Sequence, residues 1–369
     1  MASRVYLDAN ASEPLRPQAR AAVLAALEAD ANPASVHAPG RAARTILDAA
    51  RDALAACFGA HPGRVVVTSG GAEANALAIH VLGQGRRLIV AAVEHDSVLA
   101  AAPGAATLPV QADGTARLDA LAPLLADGPA LLCLMAANNE TGAIQPVREA
   151  AAICRAHGAL LHVDAIQAAG RVPLDLAGLG ADSLAISGHK LGGPLGAGAL
   201  LFAADPPVRP LIPGGGQERG MRGGTPPLPA IAGMAAAATA ALAASVNDLA
   251  ALRDAAERAA LASGGVVVAG DAPRLANTLC VALPGVAAAT QVMALDLEGV
   301  AVSAGAACSS GKVAPSHVLA AMGLGPLAGE AIRVSLPWNT TAADIDVFAR
   351  AYAAMASRTT RRTDRKSIP

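Results

Sequence analysis

Six short apolar runs, Arg64–Thr68, Leu88–Val93, Leu131–Ala136, Leu160–Val163, Ser183–Ile186 and Gly198–Phe202, show little of the apolar–polar alternation of a half-exposed strand. Helical stretches such as Glu73–Leu82 and Val147–His157 lie among them. A strand that is apolar on both faces must be covered on both, so the pattern predicts an α/β fold with a mostly parallel sheet layered by helices. A Pro- and Gly-rich stretch, Pro206–Pro229, breaks the alternation, and the long helical segment Ile231–Ala262 follows it. Strands Gly265–Ala269, Thr278–Ala282 and Val300–Ser303, a helix near Thr290–Leu297 and a final helix Ala342–Arg358 then read as a smaller α+β domain. The expected organisation is a large domain over 16–245, a small one over 246–357, an N-terminal segment 1–15 packing with the small domain, and a basic flexible tail over 358–369.

Hydrophobic residues make up 53% of the 369 and charged ones 15%, while aromatics are only 2%, so the core is expected to be close-packed Ala, Leu and Val. A net charge of -1 provides no field for nucleic acid or an anionic membrane surface, and neither partner is expected. The most apolar run, Ala230–Ser245, falls short of the ~20 residues of a bilayer span, and the N-terminus lacks a signal-peptide core. A cytoplasmic protein is the expectation. Five widely spaced cysteines with no CxxC pair argue against disulfides and zinc ribbons; no metal site is expected, and any special cysteine would act as a thiol.

Only three lysines occur, Lys190, Lys312 and Lys366. Lys190 closes the run LAISGHK just past a buried strand, at the sheet edge to which the preceding strand, LLHVD, delivers Asp164. In an arginine-biased chain a lysine at such a place suits an amine nucleophile, and an amine facing a carboxylate is the pair that pyridoxal phosphate (PLP) requires. The segment VVVTSGGAEANALAI supplies the third part, a strand, a glycine turn at Gly70 and Gly71, and a helix start that can hold a phosphate on backbone N–H groups. His162, two residues before Asp164, could suggest an HxD metal site; it is assigned to the opposite strand face, as a packed histidine.

The motifs YLDANASEPL, TSGGAEAN, EHDSV, NNETGAIQP, HVDAIQAAG, SGHKLGGPLGAGAL, GGGQERGMRGGT, SAGAACSS and AIRVSLPWNTT occur in this order along nearly the whole chain. In this the sequence resembles the class V aminotransferase group, and within it the cysteine desulfurases of the NifS/IscS kind. The resemblance implies a PLP-dependent transferase of fold type I with a mostly parallel seven-stranded sheet, acting as a homodimer on L-cysteine. By matching position it implies Lys190 as the PLP-binding lysine and proton carrier, Asp164 as partner of the ring nitrogen, Gln167 on the phenolic oxygen and His95 stacked on the ring. Ser187 and His189 fall where the family binds phosphate, with Gly70, Gly71 and Ala72 at the glycine turn and Thr225 donated across the dimer interface. Asn139 and Arg333 resemble the pair that holds the substrate carboxylate. Two departures stand out: Ala72 replaces a threonine, and Ser12-Glu13 replaces a pair of threonines.

Cys308 occupies the position of the persulfide-forming cysteine. Small residues surround it and Lys312 follows, so this segment is expected to be mobile and locally positive, which favours a thiolate. Cys57, Cys133, Cys154 and Cys280 lie in apolar patterns and are expected to be inert core residues. Lys190, Cys308 and His95 are thus the catalytic candidates of a desulfurase that yields alanine and a cysteine persulfide for a sulfur-acceptor or iron-sulfur scaffold protein. A selenocysteine lyase or another PLP-dependent lyase or aminotransferase would use the same cofactor site, and a non-catalytic partner of another desulfurase would keep the fold alone.

Overall fold

The computed structural model describes residues 4–244, 247–305 and 315–364. Thirteen strands occur among these: β1 (Val5–Tyr6), β2 (Val65–Thr68), β3 (Arg87–Ala91), β4 (Ala106–Leu108), β5 (Ala130–Met135), β6 (Leu160–Asp164), β7 (Ser183–Ser187), β8 (Gly198–Phe202), β9 (Val266–Val268), β10 (Thr278–Ala282), β11 (Val300–Ala301), β12 (Ser303–Ala304) and β13 (Ala331–Ser335). The central sheet has seven strands in the order β2-β8-β7-β6-β5-β3-β4. Only β8 runs antiparallel to its neighbours; the other pairings are parallel. Strands β2, β5, β7 and β8 are buried along their whole length, as their continuous apolar sequences require. Leu132, Val163 and Ile186 join one core with Leu54 and Phe58, while Val66, Ala185 and Leu200 pack on the other side with Leu77.

A second, four-stranded sheet in the order β12-β13-β10-β9 encloses its own core around Leu279, Val334, Phe348 and Tyr352. The expected strand over 300–303 divides because its two halves serve different partners. Val300 pairs with Val5 of β1, whereas Ser303 pairs with Arg333 of β13. The helical segment expected over 231–262 is likewise two helices, Leu228–Ala243 and Asn247–Ala262, the first stopped where Ala244 turns extended. The last helix, Ala342–Asp364, continues six residues past Arg358, so the basic segment expected as a free end is helical up to Asp364. No single helix among the described residues is long and apolar enough to cross a membrane.

The N-terminal segment links the two sheets. Beyond β1, Leu7 N–H donates to Ala301 O and Ala9 N–H to Ser335 O, while Glu13 N–H donates to His189 O. Residues 8–13 are thereby laid across the carboxyl edge of the central sheet.

Candidate active site

A cavity of about 490 Å³ opens at the carboxyl ends of β3, β5, β6 and β7, where parallel α/β sheets bind ligands. Of the residues singled out in the sequence, Gly71, Ala72, His95, Asn139, Asp164, Gln167, Ser187, His189, Lys190 and Arg333 all line it. Gly70 and Thr225 do not; Thr225 is exposed on the glycine-rich segment. Cys308 lies outside the described residues, third after Gly305, which lines the cavity.

Asp164 ends β6 as a buried carboxyl. Its Oδ1 accepts from Ile166 N–H at 2.9 Å and its Oδ2 from Asn75 Nδ2 at 2.7 Å. Burial pushes it above the ordinary carboxylate range, while these hydrogen bonds and the charges of His95 and Lys190 pull it back. Lys190 sits in the short turn Gly188–Lys190 after β7, its Nζ donating to Asn10 O at 2.5 Å and Ala11 O at 2.9 Å. Burial, reinforced by repulsion from Arg333 and Arg171, brings it down to about 8. An amine in that range is a usable nucleophile near neutral pH.

Asn75 carries a structural lesson about β6. Residues two apart on a strand share a face, and His162 points the same way as Asp164, contrary to the opposite-face expectation. His162 Nε2 lies 3.0 Å from Asn75 Oδ1 and its Nδ1 lies 2.8 Å from Ser183 Oγ. Burial holds the ring down to about 3, so it stays neutral and orients the amide that grips Asp164. The other Asn75 contact reaches Ser97 Oγ at 3.0 Å. His95 is the N-cap of the short helix Asp96–Leu99: its Nδ1 accepts Ser97 N–H at 3.0 Å and lies 2.9 Å from the Ser97 hydroxyl. In the neutral ring the proton therefore sits on Nε2.

One end of the cavity is built by the helix Gly71–Leu82, whose first amides have no partner within the helix. A Cβ at Gly71 would lie 2.2 Å from Ile166 Cδ1, so the Ile166 side chain would have to shift to admit one. Ser187 Oγ and His189 Nδ1 are 3.0 Å apart, and burial with the nearby Lys190 charge takes His189 down to about 4. At the opposite end Arg333, central in β13, pairs with Asp8 at 2.8 Å and donates to Asn139 O at 3.1 Å. Its buried Nε has no partner among the described residues.

Sequence reading missed Asp8, Asn10, Asn75, Ser97 and Arg171. One local signal existed: Asn75 is a polar residue on the otherwise apolar buried face formed by Ala74, Leu77 and Ala78. Glu13, noted only as a departure from threonine, forms a buried ion pair with Arg171 at 3.0 Å.

The aminotransferase class-V family profile matches residues 5–348. A cysteine desulfurase of Cereibacter sphaeroides is 42% identical over 360 residues, 93% of this chain and 93% of its own. An IscS-like cysteine desulfurase of Mycobacterium tuberculosis is 37% identical over 92% of this chain and 93% of its own. Among solved structures, a NifS-like protein from Rickettsia africae aligns with a TM-score of 0.90 and 30% identity, over 96% of this chain and 99% of that one. A structure described as SspA in complex with cysteine aligns with a TM-score of 0.80 and 29% identity, over 91% of this chain and 99% of that one. With a matching profile over most of its length and relatives of this similarity, the chain belongs to the aminotransferase class-V family.

Proposed function

We propose that the protein is a PLP-dependent cysteine desulfurase that takes sulfur from L-cysteine, releases L-alanine and carries the sulfur as a persulfide on Cys308. The observation that carries this reading is the Lys190 amine, brought to about 8 and facing the same cavity as buried Asp164. Relatives named cysteine desulfurase over 93% of the chain support the choice of substrate.

The residues fit PLP: an amine for its aldehyde, a buried carboxylate for its ring nitrogen, and a helix start at Gly71 and Ala72 whose free backbone N–H groups suit a phosphate. When bound, PLP supplies an electron sink next to the substrate's Cα. Lys190 then carries the Cα proton, Asp164 holds a proton at the ring nitrogen, His95 covers the ring, and Arg333 with Asn139 receives the substrate carboxylate through paired donors. Cys308 thiolate attacks the substrate sulfur. One C–S bond breaks, one S–S bond forms, and alanine leaves with a proton on its former sulfur-bearing carbon. The sulfur then passes to an acceptor or iron-sulfur scaffold protein in the cytoplasm, and Thr225 of each subunit completes the neighbour's phosphate site in a homodimer.

Borohydride reduction of the PLP-loaded protein followed by peptide mapping should label Lys190 and neither Lys312 nor Lys366. Cys308→Ser should keep PLP and the spectral response to cysteine but lose alanine formation. Alanine released from cysteine at near wild-type rate by Cys308→Ser would instead establish a lyase using the same cofactor.

A further inference from the structure

Arg171 reaches the site without lining it. Its Nη1 donates to Gln167 Oε1 at 2.5 Å and to Gln167 O at 3.0 Å, and its Nη2 donates to Glu13 Oε2 at 3.0 Å. Glu13 is fixed in turn, since its Oε1 accepts Trp338 N–H at 2.7 Å. The ion-paired side chains are only 9% and 5% exposed, so neither is a floating surface charge. A guanidinium has donors and no acceptor, so the Gln167 amide must turn its oxygen toward Arg171. The Nε2 group is left for the cavity, where it donates to Asn10 O at 3.0 Å, the same carbonyl that holds Lys190 Nζ.

We propose that Arg171, anchored by Glu13, is a positioning residue that locks the Gln167 amide so that it offers only N–H donors to the cavity. The site then selects an anionic oxygen at this point and rejects a donor. The inference rests on the PLP reading, in which the oxygen is the cofactor's phenolate. An unlocked amide could present its own oxygen there, and the repulsion would disfavour the anion. Glu13 matters because a buried guanidinium left without a counter-charge is strongly destabilising.

The test is a pH titration of the visible absorption of bound PLP in full-length protein, which reads the chromophore's protonation and not turnover. Loss of a hydrogen bond to a charged oxygen should raise the midpoint by about one unit or more. Gln167→Met and Arg171→Met should each produce that rise, and the double substitution should add nothing, because one residue acts through the other. Since Arg171→Met strands the Glu13 carboxylate, the pair Glu13→Gln with Arg171→Met removes both charges and should show the same rise. Additive shifts would overturn the proposal in favour of a simple charge effect of Arg171, and so would an unchanged midpoint in the Arg171 variants. A wild-type protein that retains no PLP would overturn the cofactor reading itself, a result distinct from either.

Discussion

Burial removes the Lys190 ammonium from water, and Arg333 and Arg171 add repulsion, so the charged form is disfavoured down to about 8. The sign is that of a base lowered on folding: below about 8 the amine is protonated, and above it the free nucleophile accumulates. At pH 7 roughly a tenth is free, some 300-fold more than for an ordinary lysine. The rate at which cofactor-free protein captures PLP, followed by stopped-flow absorbance, should therefore rise with pH and level off past a midpoint near 8. If Arg333 holds the substrate carboxylate as proposed, Arg333→Gln should raise the KM for cysteine tenfold or more with a smaller effect on kcat; steady-state alanine assays measure both. At this scale the sequence reveals residues whose type is unusual where they stand, such as Lys190 among arginines or Asp164 closing an apolar strand. Asp8 was illegible because its partner Arg333 is 325 residues away. Asn75 stands out as a polar residue on an apolar helix face, but its partner does not, because the contact to Asp164 spans 89 positions. His162 was legible as a residue but assigned to the wrong face, an error of strand periodicity.

Elements proved easier to read than their ends. The strands of the central sheet declare themselves because burial on both faces forces unbroken apolar runs, whereas β4, only three residues long, has too little sequence to signal. The two helices around 244–247 read as one because no proline or glycine lies between them. The element with most bearing on the site is the helix Gly71–Leu82, whose N-terminus faces the cavity through Gly71 and Ala72. Here Ala72 lacks the hydroxyl that the resembling family carries. Ala72→Thr should add one neutral contact, about 0.5–1.5 kcal/mol, and slow PLP loss by up to roughly tenfold in a dialysis or gel-filtration assay. Gly71→Ala should do the reverse and lower the melting temperature, since its Cβ would overlap Ile166.

For the whole molecule, the glycine-rich segment that carries Thr225 is held with unusual firmness. Glu218 and Arg219 adopt positive φ values of 49° and 55°, a strain other contacts must offset. Buried Glu218 pairs with Arg51 and accepts Val67 N–H at 2.9 Å, while Arg222 pairs with Glu73 at 2.8 Å. A segment fixed this way presents Thr225 outward at a defined position. If the proposed homodimer shares Thr225 across its interface, dilution that separates the subunits, monitored by light scattering, should speed PLP loss, and Thr225→Val should reproduce the loss without dilution. The strap of residues 8–13 bears on biosynthesis. It is held on one side by His189, Gln167 and Arg171, close in sequence to Lys190, and on the other by Thr278, Arg333 and Ser335. At 5–20 residues per second, a ribosome needs on the order of 10 s to pass from Lys190 to Arg333. For that interval the nascent chain carries the strap with the anchors of one side only, and Lys190 lacks the Arg333 charge that helps bring its amine down.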